Sequence, residues 1–174
     1  PGAVQQRGTG TTILTADNSY SGGTTIGAGT LQIGNGGTSG AIAGNVTNNA
    51  ALVVDRSGAL TFAGTISGTG ALTKRGANAL TLTADNTFSG LTTIEGGALQ
   101  LGNGGASGGL AGDVLNNGAL VLNRANTLSL NGTISGTGSV AQIGAGTTVL
   151  GGANTYGGGT TLAAGTLQIA SDAN

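Results

Sequence analysis

The chain repeats itself with a long, regular period, and this feature constrains its fold more than any other. Residues 9–76 align with residues 77–144 without a gap, and 37 of the 68 positions are identical. Residues 145–174 begin a third copy, and residues 1–8 match the end of a preceding one. Because repeats at a fixed period form arrays of like units, we predict one solenoid domain over 1–174, cut from a longer polypeptide.

A finer period lies inside the 68-residue repeat. Aliphatic residues recur in two series that we predict to form two stacked interior columns. The first has spacings of 20, 20 and 28, and the second lies five or six residues later. The first series is Ile26, Val46, Ile66, Ile94, Val114, Ile134 and Leu162. The second series is Leu31, Leu52, Leu72, Leu99, Leu120, Val140 and Leu167. Each repeat is therefore predicted to make about three coils, one of them eight residues longer than the others.

The local pattern is that of short strands. Apolar runs of three to five residues are bounded by Gly, Asn, Asp or Ser, which are turn residues, and the helical period of 3.6 is absent. Three strands per coil of about 20 residues would stack in parallel at about 4.8 Å. We predict an all-β, three-sided parallel β-helix, right-handed by the usual crossover preference.

Residues 72–103 resemble the passenger-associated transport repeat of bacterial autotransporters. The matching residues are Gly76, Leu80, Leu82, Asn86, Phe88, Gly90, Thr92, Thr93, Ile94, Gly97 and Leu99. Further matches start at Val4 and Val140, with Asn18 and Tyr20 in the first and Asn154 and Tyr156 in the second. The resemblance implies a right-handed β-helix in a secreted or surface-exposed passenger, where the repeat supports export and folding rather than catalysis.

Composition excludes several classes of function. The chain has no His, no Cys and a net charge of -1. The common ligands of zinc, haem and iron–sulfur clusters and the Cys and Ser-His-Asp nucleophiles are therefore missing. Few cations and few aromatic residues are available to bind nucleic acid, and no apolar run is long enough to span a bilayer. We predict no catalytic residues, no cofactor, no metal site and no membrane insertion.

Two sets of residues at equivalent positions are candidates for ligand contacts. Tyr20, Phe88 and Tyr156 could stack on sugar rings, but three coils would separate them by about 14 Å, and we interpret them as covers of the longer coil. Asn18, Asn86 and Asn154 could be ligands, but asparagine at a turn usually bonds its own backbone. We interpret both sets as structural.

The charged residues are also candidates. The acids are Asp17, Asp55, Asp85, Glu95, Asp113 and Asp172, and three pairs share a position in the repeat: Asp17 with Asp85, Arg7 with Arg75, and Arg56 with Arg124. The acids lack the nine-residue spacing of calcium-binding β-rolls, and no carboxylate cluster typical of a polysaccharide-cleaving β-helix enzyme is visible. We predict that these charges are solvated. Gly36–Gly37 and Gly104–Gly105 lack the lysine and helix of a phosphate-binding loop.

The favoured function is a non-catalytic structural rod of an autotransporter-like surface protein, located outside the cell or on the bacterial outer membrane. An alternative is an adhesin or filament segment that associates head to tail through its end coils, because open strand edges template pairing. A host or cell-surface ligand is possible, and the sequence does not identify one. Ice binding is disfavoured, because no coil has Thr at both positions of a Thr-x-Thr motif and Glu95 and Asp113 interrupt the face. The outward series considered for such a face is Thr25, Asn45, Thr65, Thr93, Asp113, Thr133 and Thr161.

Overall fold

A computed structural model describes residues 2–170 as a parallel β-solenoid with three walls. The chain crosses one wall after another, and every strand pairing is parallel, between strands one coil apart. The described residues contain twenty strands and no helix, and so no helix that could cross a membrane. Asp172 lies outside the described residues.

The strands divide among the walls as follows. The first wall holds β1 (Val4–Gln6), β3 (Thr24–Ile26), β5 (Val46–Asn48), β8 (Ile66–Ser67), β15 (Leu128–Leu130), β18 (Thr147–Leu150) and β20 (Thr166–Ile169). The second wall holds β2 (Thr11–Leu14), β4 (Thr30–Ile33), β6 (Ala51–Asp55), β9 (Ala71–Arg75), β11 (Thr92–Ile94), β13 (Val114–Asn116) and β16 (Ile134–Ser135). The third wall holds β7 (Leu60–Phe62), β10 (Ala79–Leu82), β12 (Ala98–Leu101), β14 (Ala119–Leu122), β17 (Ser139–Gln142) and β19 (Thr160–Leu162).

Coil length explains how the 68-residue repeat is arranged. Paired residues in successive coils are 19 to 24 positions apart, as in Thr11–Thr30 and the bridge Asp17–Ala41. A repeat therefore supplies ten wall crossings, or three and one-third coils. The start of the repeat lies on the second wall at β2, on the third wall at β10 and on the first wall at β18. Each repeat is thus rotated by one wall relative to the repeat before it.

This rotation shows that the predicted longer coil is wrong. The 28-residue spacing in the first series corresponds to one full coil plus the crossing of one further wall. No two paired coils of the described chain differ in length by eight residues. Residues 86–89 are not an excursion, because they continue the first wall beneath β8. There, Thr87 N donates to Ile66 O at 3.0 Å and Ser89 N donates to Gly68 O at 3.0 Å.

The two predicted columns fare differently. Leu31, Leu52 and Leu72 stack on the second wall, and Leu99, Leu120 and Val140 stack on the third. The second series is therefore two shorter columns, and Leu167 lies on the first wall, where it pairs with Thr148. The first series is only partly in the predicted register. Val46 pairs with Ile66 and Val114 with Ile134 as predicted, but the matches of Ile26 with Val46 and of Ile94 with Val114 are wrong. Thr24 pairs with Val46 and Ile26 with Asn48, two residues away from the predicted match, and Thr92 and Ile94 pair in the same way with Val114 and Asn116.

The side chains of the first series up to Ile134 nevertheless face inward. Ile26, Val46, Ile66, Ile94, Val114 and Ile134 are buried, whereas Leu162, on a coil at the end of the described chain, is exposed. A two-residue shift keeps every side chain on the same face of a strand, because strand side chains alternate with a period of two. The sequence pattern therefore predicts which residues are inside but not which of them are stacked. Phe62, replaced by Leu130 in the next repeat, is in the core as expected.

Candidate functional site

The described residues hold no cluster of three or more His, Cys, Asp or Glu side chains that could bind a metal ion. The polar features that need explanation are instead side chains buried at the corners of the solenoid. They comprise two arginines, a position held by Lys or Gln, and two classes of asparagine.

The first arginine clamp holds the corner loop 34–40, between the second and third walls. Arg56, which is 7% exposed, donates from Nη1 to Gly40 O and from Nη2 to Thr38 O. Its Nη1 lies 3.5 Å from Asp17 Oδ1, and the same oxygen accepts from Gly40 N at 3.0 Å. Asp17, the loop and Arg56 belong to three successive coils, so the clamp ties all three together.

The second clamp repeats this geometry at loop 102–108, one wall further round. Arg124 Nη1 donates to Asp85 Oδ1 at 2.9 Å and to Gly108 O at 3.2 Å, and Nη2 donates to Ala106 O. Arg124 Nε also donates to Asn126 Oδ1 at 3.0 Å. In the first clamp Gly58 stands at the position of Asn126, and Arg56 Nε is buried without a partner.

These contacts correct the prediction that both arginines are solvated. Asp17 and Asp85 are exposed as expected, but Arg56 and Arg124 are buried beneath the loops. A buried guanidinium is tolerated because carbonyl and carboxylate oxygens satisfy its donors. The equal 68-residue spacing of Asp17–Asp85 and Arg56–Arg124 is the sequence signal that could have revealed the pairing.

A second buried position is occupied by Gln6, Lys74 and Gln142 in the three copies. Gln142 Nε2 donates to Gly144 O at 2.9 Å and Gly146 O at 3.2 Å, and its Oε1 accepts from Thr148 Oγ1 at 2.6 Å. Gln6 makes the matching bonds, with Thr12 as its hydroxyl donor. Each glutamine thus closes the corner that follows its strand.

Lys74 closes the same corner with an ammonium group. Its Nζ donates to Arg75 O at 2.6 Å, Gly76 O at 2.8 Å and Gly96 O at 3.2 Å. Leu80 replaces the threonine of the other copies, since an ammonium group has no acceptor to offer a hydroxyl. Burial lowers the pKa of Lys74, and the negative charge of Asp55 opposes that shift.

The candidate asparagines bond to backbone. Asn86 Nδ2 donates to Ala84 O at 2.8 Å and Gly109 O at 3.0 Å, and its Oδ1 accepts from Ile66 N at 2.8 Å in the coil before. Asn154 accepts from Ile134 N in the same way, and Asn18 bonds Ala16 O and Ala41 O. The amide of Asn86 or Asn154 therefore replaces a strand bond where the wall is irregular.

Two further asparagines were not singled out in the sequence. Asn48 and Asn116 are fully buried at the end of β5 and β13. Asn48 Nδ2 donates to Ala71 O at 2.8 Å, and its Oδ1 accepts from Ala50 N at 3.2 Å. Asn116 makes the equivalent bonds to Ser139 and Gly118. The sequence signal for these two residues is that an asparagine stands two positions after both Val46 and Val114, at equivalent places in the two repeats.

The three aromatic residues do not form one surface. They fall on three different walls because the repeats rotate, and Phe88 is fully buried while Tyr20 and Tyr156 are half-buried. Tyr20 Oη lies 2.8 Å from Thr24 Oγ1, and Tyr156 Oη lies 2.6 Å from Thr160 Oγ1. Thr92, four residues after Phe88, has a buried Oγ1 without a partner. These rings pack against the core.

The outer faces carry few charges in the described chain. Arg75 Nε lies 2.9 Å from Glu95 Oε2, and both side chains are half-exposed. Asp113 Oδ1 accepts from Thr133 N at 2.8 Å. The outward threonines considered for ice binding are divided among the walls, with Thr25 on the first, Thr93 on the second and Thr161 on the third. They therefore form no common flat face.

Comparison with known proteins agrees with the architecture. The passenger-associated-transport-repeat family matches residues 4–33, 72–101 and 140–169, which together are 90 of the 174 residues. A curated relative, the adhesin BmaC autotransporter of Brucella suis biovar 1 (strain 1330), is 50% identical over 103 residues. That match covers 59% of this chain but only 3% of the relative. No solved structure matches the chain.

The family matches coincide with the coils described above. Each match covers five successive wall crossings around one of the asparagine–aromatic pairs, and the three matches start on three different walls. The chain belongs to the passenger-associated transport repeat family of autotransporters.

Proposed function

We propose that the chain is a non-catalytic structural rod within the passenger of a surface-exposed or secreted autotransporter. The observation that carries this proposal is the use of the buried polar groups. Arg56, Arg124, Lys74, Asn48 and Asn116 all bond to backbone of neighbouring coils or corners. These side chains hold neighbouring coils together by hydrogen bonds to the backbone. They do not line a cavity that could admit a substrate.

As a spacer, the rod sets the distance between the parts of the passenger on either side of it. Eight coils at about 4.8 Å give a length of about 38 Å, and one repeat adds about 16 Å. The function is mechanical: interior columns and wall hydrogen bonds resist bending, and repetition sets reach. The adhesin relative supports a location on the cell surface.

Deletion of residues 77–144 tests the rod. The deletion joins Gly76 to Ala145, which occupies the position of Ala77 in the next copy, so all pairings can be restored. We expect a folded β-solenoid about 16 Å shorter by small-angle scattering. A control deletion of 77–145 removes one further residue, which places β18 one position out of register and turns its inward side chains outward, and it should unfold. Equal loss of structure in both deletions would contradict the proposal.

A binding assay separates the rod from an adhesive segment. The intact 174-residue chain, immobilised on beads, should show no saturable binding to host cells and no cleavage of polysaccharides. Saturable binding that free chain competes away would favour a direct adhesin role, which the name of the relative suggests for that protein.

A second candidate is head-to-tail association of the chain by itself. Leu162 and Ile169 are 54% and 59% exposed, whereas their counterparts Ile94 and Leu101, one repeat earlier, are fully covered by the next coil. A second copy could cover them in the same way, and such a contact is open-ended. Sedimentation should then show concentration-dependent oligomers that Leu162→Lys abolishes; a monomer at high concentration would exclude them.

A further inference from the structure

The corner loops coincide with the widest coil-to-coil steps. Paired residues are 24 positions apart at the bridges Asp17–Ala41 and Asp85–Gly109, which directly follow the loops. They are 22 apart at Thr24–Val46 and Thr92–Val114 and 19 to 21 apart at other pairings. The chain between each of these pairs contains a clamped loop, 34–40 or 102–108. Across the first loop the spacing widens from 19 positions at Leu14–Ile33 to 24 at Asp17–Ala41, and the second loop repeats this change. The extra residues of these coils therefore lie at the clamped corner.

A competing register exists at the same place. A shift of β5 by two residues would place Val46 on Ile26 and keep all inward residues inside. That register stacks aliphatic on aliphatic, whereas the observed one puts Thr24 against Val46 and Ile26 against the amide of Asn48. Hydrophobic stacking alone would favour the shifted register. Some other interaction must select the observed one.

The clamp acts on the segment that a shift would have to move. In the shifted register, the step from β3 to β5 would be 20 residues instead of 22. Two residues would then have to be pulled out of the segment between β4 and β5. Arg56 holds Thr38 O and Gly40 O in that corner, and Asp17 holds Gly40 N. Pulling the corner through would leave a buried guanidinium without acceptors, and removing the partners of a buried charge is strongly destabilising.

We propose that Arg56 and Arg124 are register locks, which fix β5 on β3 and β13 on β11 in the 22-residue step. Charged groups buried at single positions are known to specify register in other assemblies at some cost in stability. Here, each lock works by matching one guanidinium to loop carbonyls that occur once per repeat. The proposal concerns the specificity of folding and is independent of the rod function.

Disulfide trapping distinguishes the two registers, since the chain has no cysteine of its own. Thr25 pairs directly with Thr47, and all three candidate positions, Thr25, Thr47 and Asn45, are exposed on the outer face. Direct neighbours are about 4.8 Å apart and suit a disulfide, whereas Thr25 and Asn45 are about 8 Å apart and do not. In the shifted register, the 25–45 pair becomes the direct one.

We expect Thr25→Cys/Thr47→Cys to cross-link in the otherwise unchanged chain and Thr25→Cys/Asn45→Cys not to do so. With Arg56→Met added, the yield of the 25–45 disulfide relative to 25–47 should rise at least about tenfold. Arg75→Met, at a half-exposed arginine, should leave the ratio unchanged. Thr73→Cys/Thr93→Cys reports a pairing with a 20-residue step that does not involve β5, and it should form in every background.

An unchanged ratio in folded Arg56→Met would overturn the proposal and leave the clamp a simple anchor. If Arg56→Met does not fold, Arg56→Lys keeps the charge but lacks the planar fork that reaches two carbonyls at once, and the same ratio is measured. The second clamp gives an independent copy of the test, with Arg124→Met and cysteine pairs 93–115 and 93–113.

Discussion

The two complete repeats, 9–76 and 77–144, have the same backbone plan but satisfy their buried polar groups differently. The corner after β9 combines Lys74 with Leu80, and the corner after β17 combines Gln142 with Thr148. Where both members of a pair change together, every donor finds an acceptor. Where only one changes, a buried atom is left unpaired, as at Thr92 beside Phe88 and at Arg56 beside Gly58. In this solenoid, two residues that bond to each other must therefore change together if all buried polar groups are to keep a partner.

The prediction with the largest expected effect tests whether equivalent strand positions in the two repeats face the core or the solvent in the same way. Val114 is buried, and its neighbour Leu115 faces outward. Val114→Asp should cost about 3–5 kcal/mol because it buries an unpaired charge, while Leu115→Asp should cost less than about 1 kcal/mol. Val46→Asp and Thr47→Asp should reproduce this contrast one repeat earlier. Chemical denaturation measures all four; equal losses within a pair would contradict the assignment.

The corner pairs can be exchanged between repeats. Leu80→Thr alone buries a hydroxyl beside an ammonium that cannot accept its proton, and Lys74→Gln alone leaves the amide oxygen without its hydroxyl donor. Each single change should cost about 1–3 kcal/mol. The double variant recreates the Gln142–Thr148 corner and should recover about 1–2 kcal/mol as coupling in a double-mutant cycle. Strict additivity would show that the two positions are independent.

Replacement of Lys74 should also change the dependence of stability on pH. The pKa of Lys74 is lowered in the folded chain by burial. Between that lowered value and the ordinary value of 10.5, the unfolded chain binds more protons, so the free energy of unfolding rises with pH. The stability difference between the native chain and Lys74→Gln should shift in favour of Lys74 across this alkaline range. A difference that stays constant with pH would mean that burial does not perturb the group.

The aromatic pairs offer a gain of stability. Tyr20 and Tyr156 bond the threonine four residues later, and Phe88 leaves Thr92 Oγ1 buried and unpaired. Phe88→Tyr should raise the free energy of unfolding by about 0.5–1.5 kcal/mol if the ring keeps its position. Thr92→Val removes the same unpaired group and is the matched control; it should also stabilise, and the combined variant should not. Destabilisation by both single changes would show that the hydroxyl of Thr92 already has a partner.

Much of the fold follows from the sequence because stacking repeats the same environment every coil. Leu31, Leu52 and Leu72 were placed in one column by spacing alone, and their pairing confirms it. The register at Ile26 could not be found in this way, because a two-residue shift preserves the inward pattern. The deciding contacts join Asp17 to Arg56, 39 residues apart, and no periodicity of apolar residues encodes them.

The polar corners were missed for a related reason. The sequence predicts that Arg56 is a surface charge and does not single out Lys74, since charged side chains are rarely buried unless their donors are satisfied. The acceptors here are carbonyl oxygens, such as Gly76 O and Thr38 O, which have no sequence signature. Comparison of the copies does contain the information: Gln6, Lys74 and Gln142 share a position, and so do Thr12, Leu80 and Thr148.

The difference between the two clamps gives the smallest and most specific effect. Arg124 Nε donates to Asn126, but Arg56 Nε is buried with no partner because Gly58 has no side chain. Gly58→Asn should supply the missing acceptor, and loss of glycine also restricts the unfolded chain. The new Cβ would lie 3.0 Å from Thr38 O, so part of the gain is lost to crowding. We expect a net gain of a few tenths to about 1 kcal/mol.

Gly58→Ala meets the same crowding without the acceptor and should be less stable than Gly58→Asn, whereas Asn126→Gly should cost the second clamp a similar amount. If Gly58→Ala matches Gly58→Asn in denaturant unfolding, the bond to Nε contributes nothing and the two clamps are energetically equivalent.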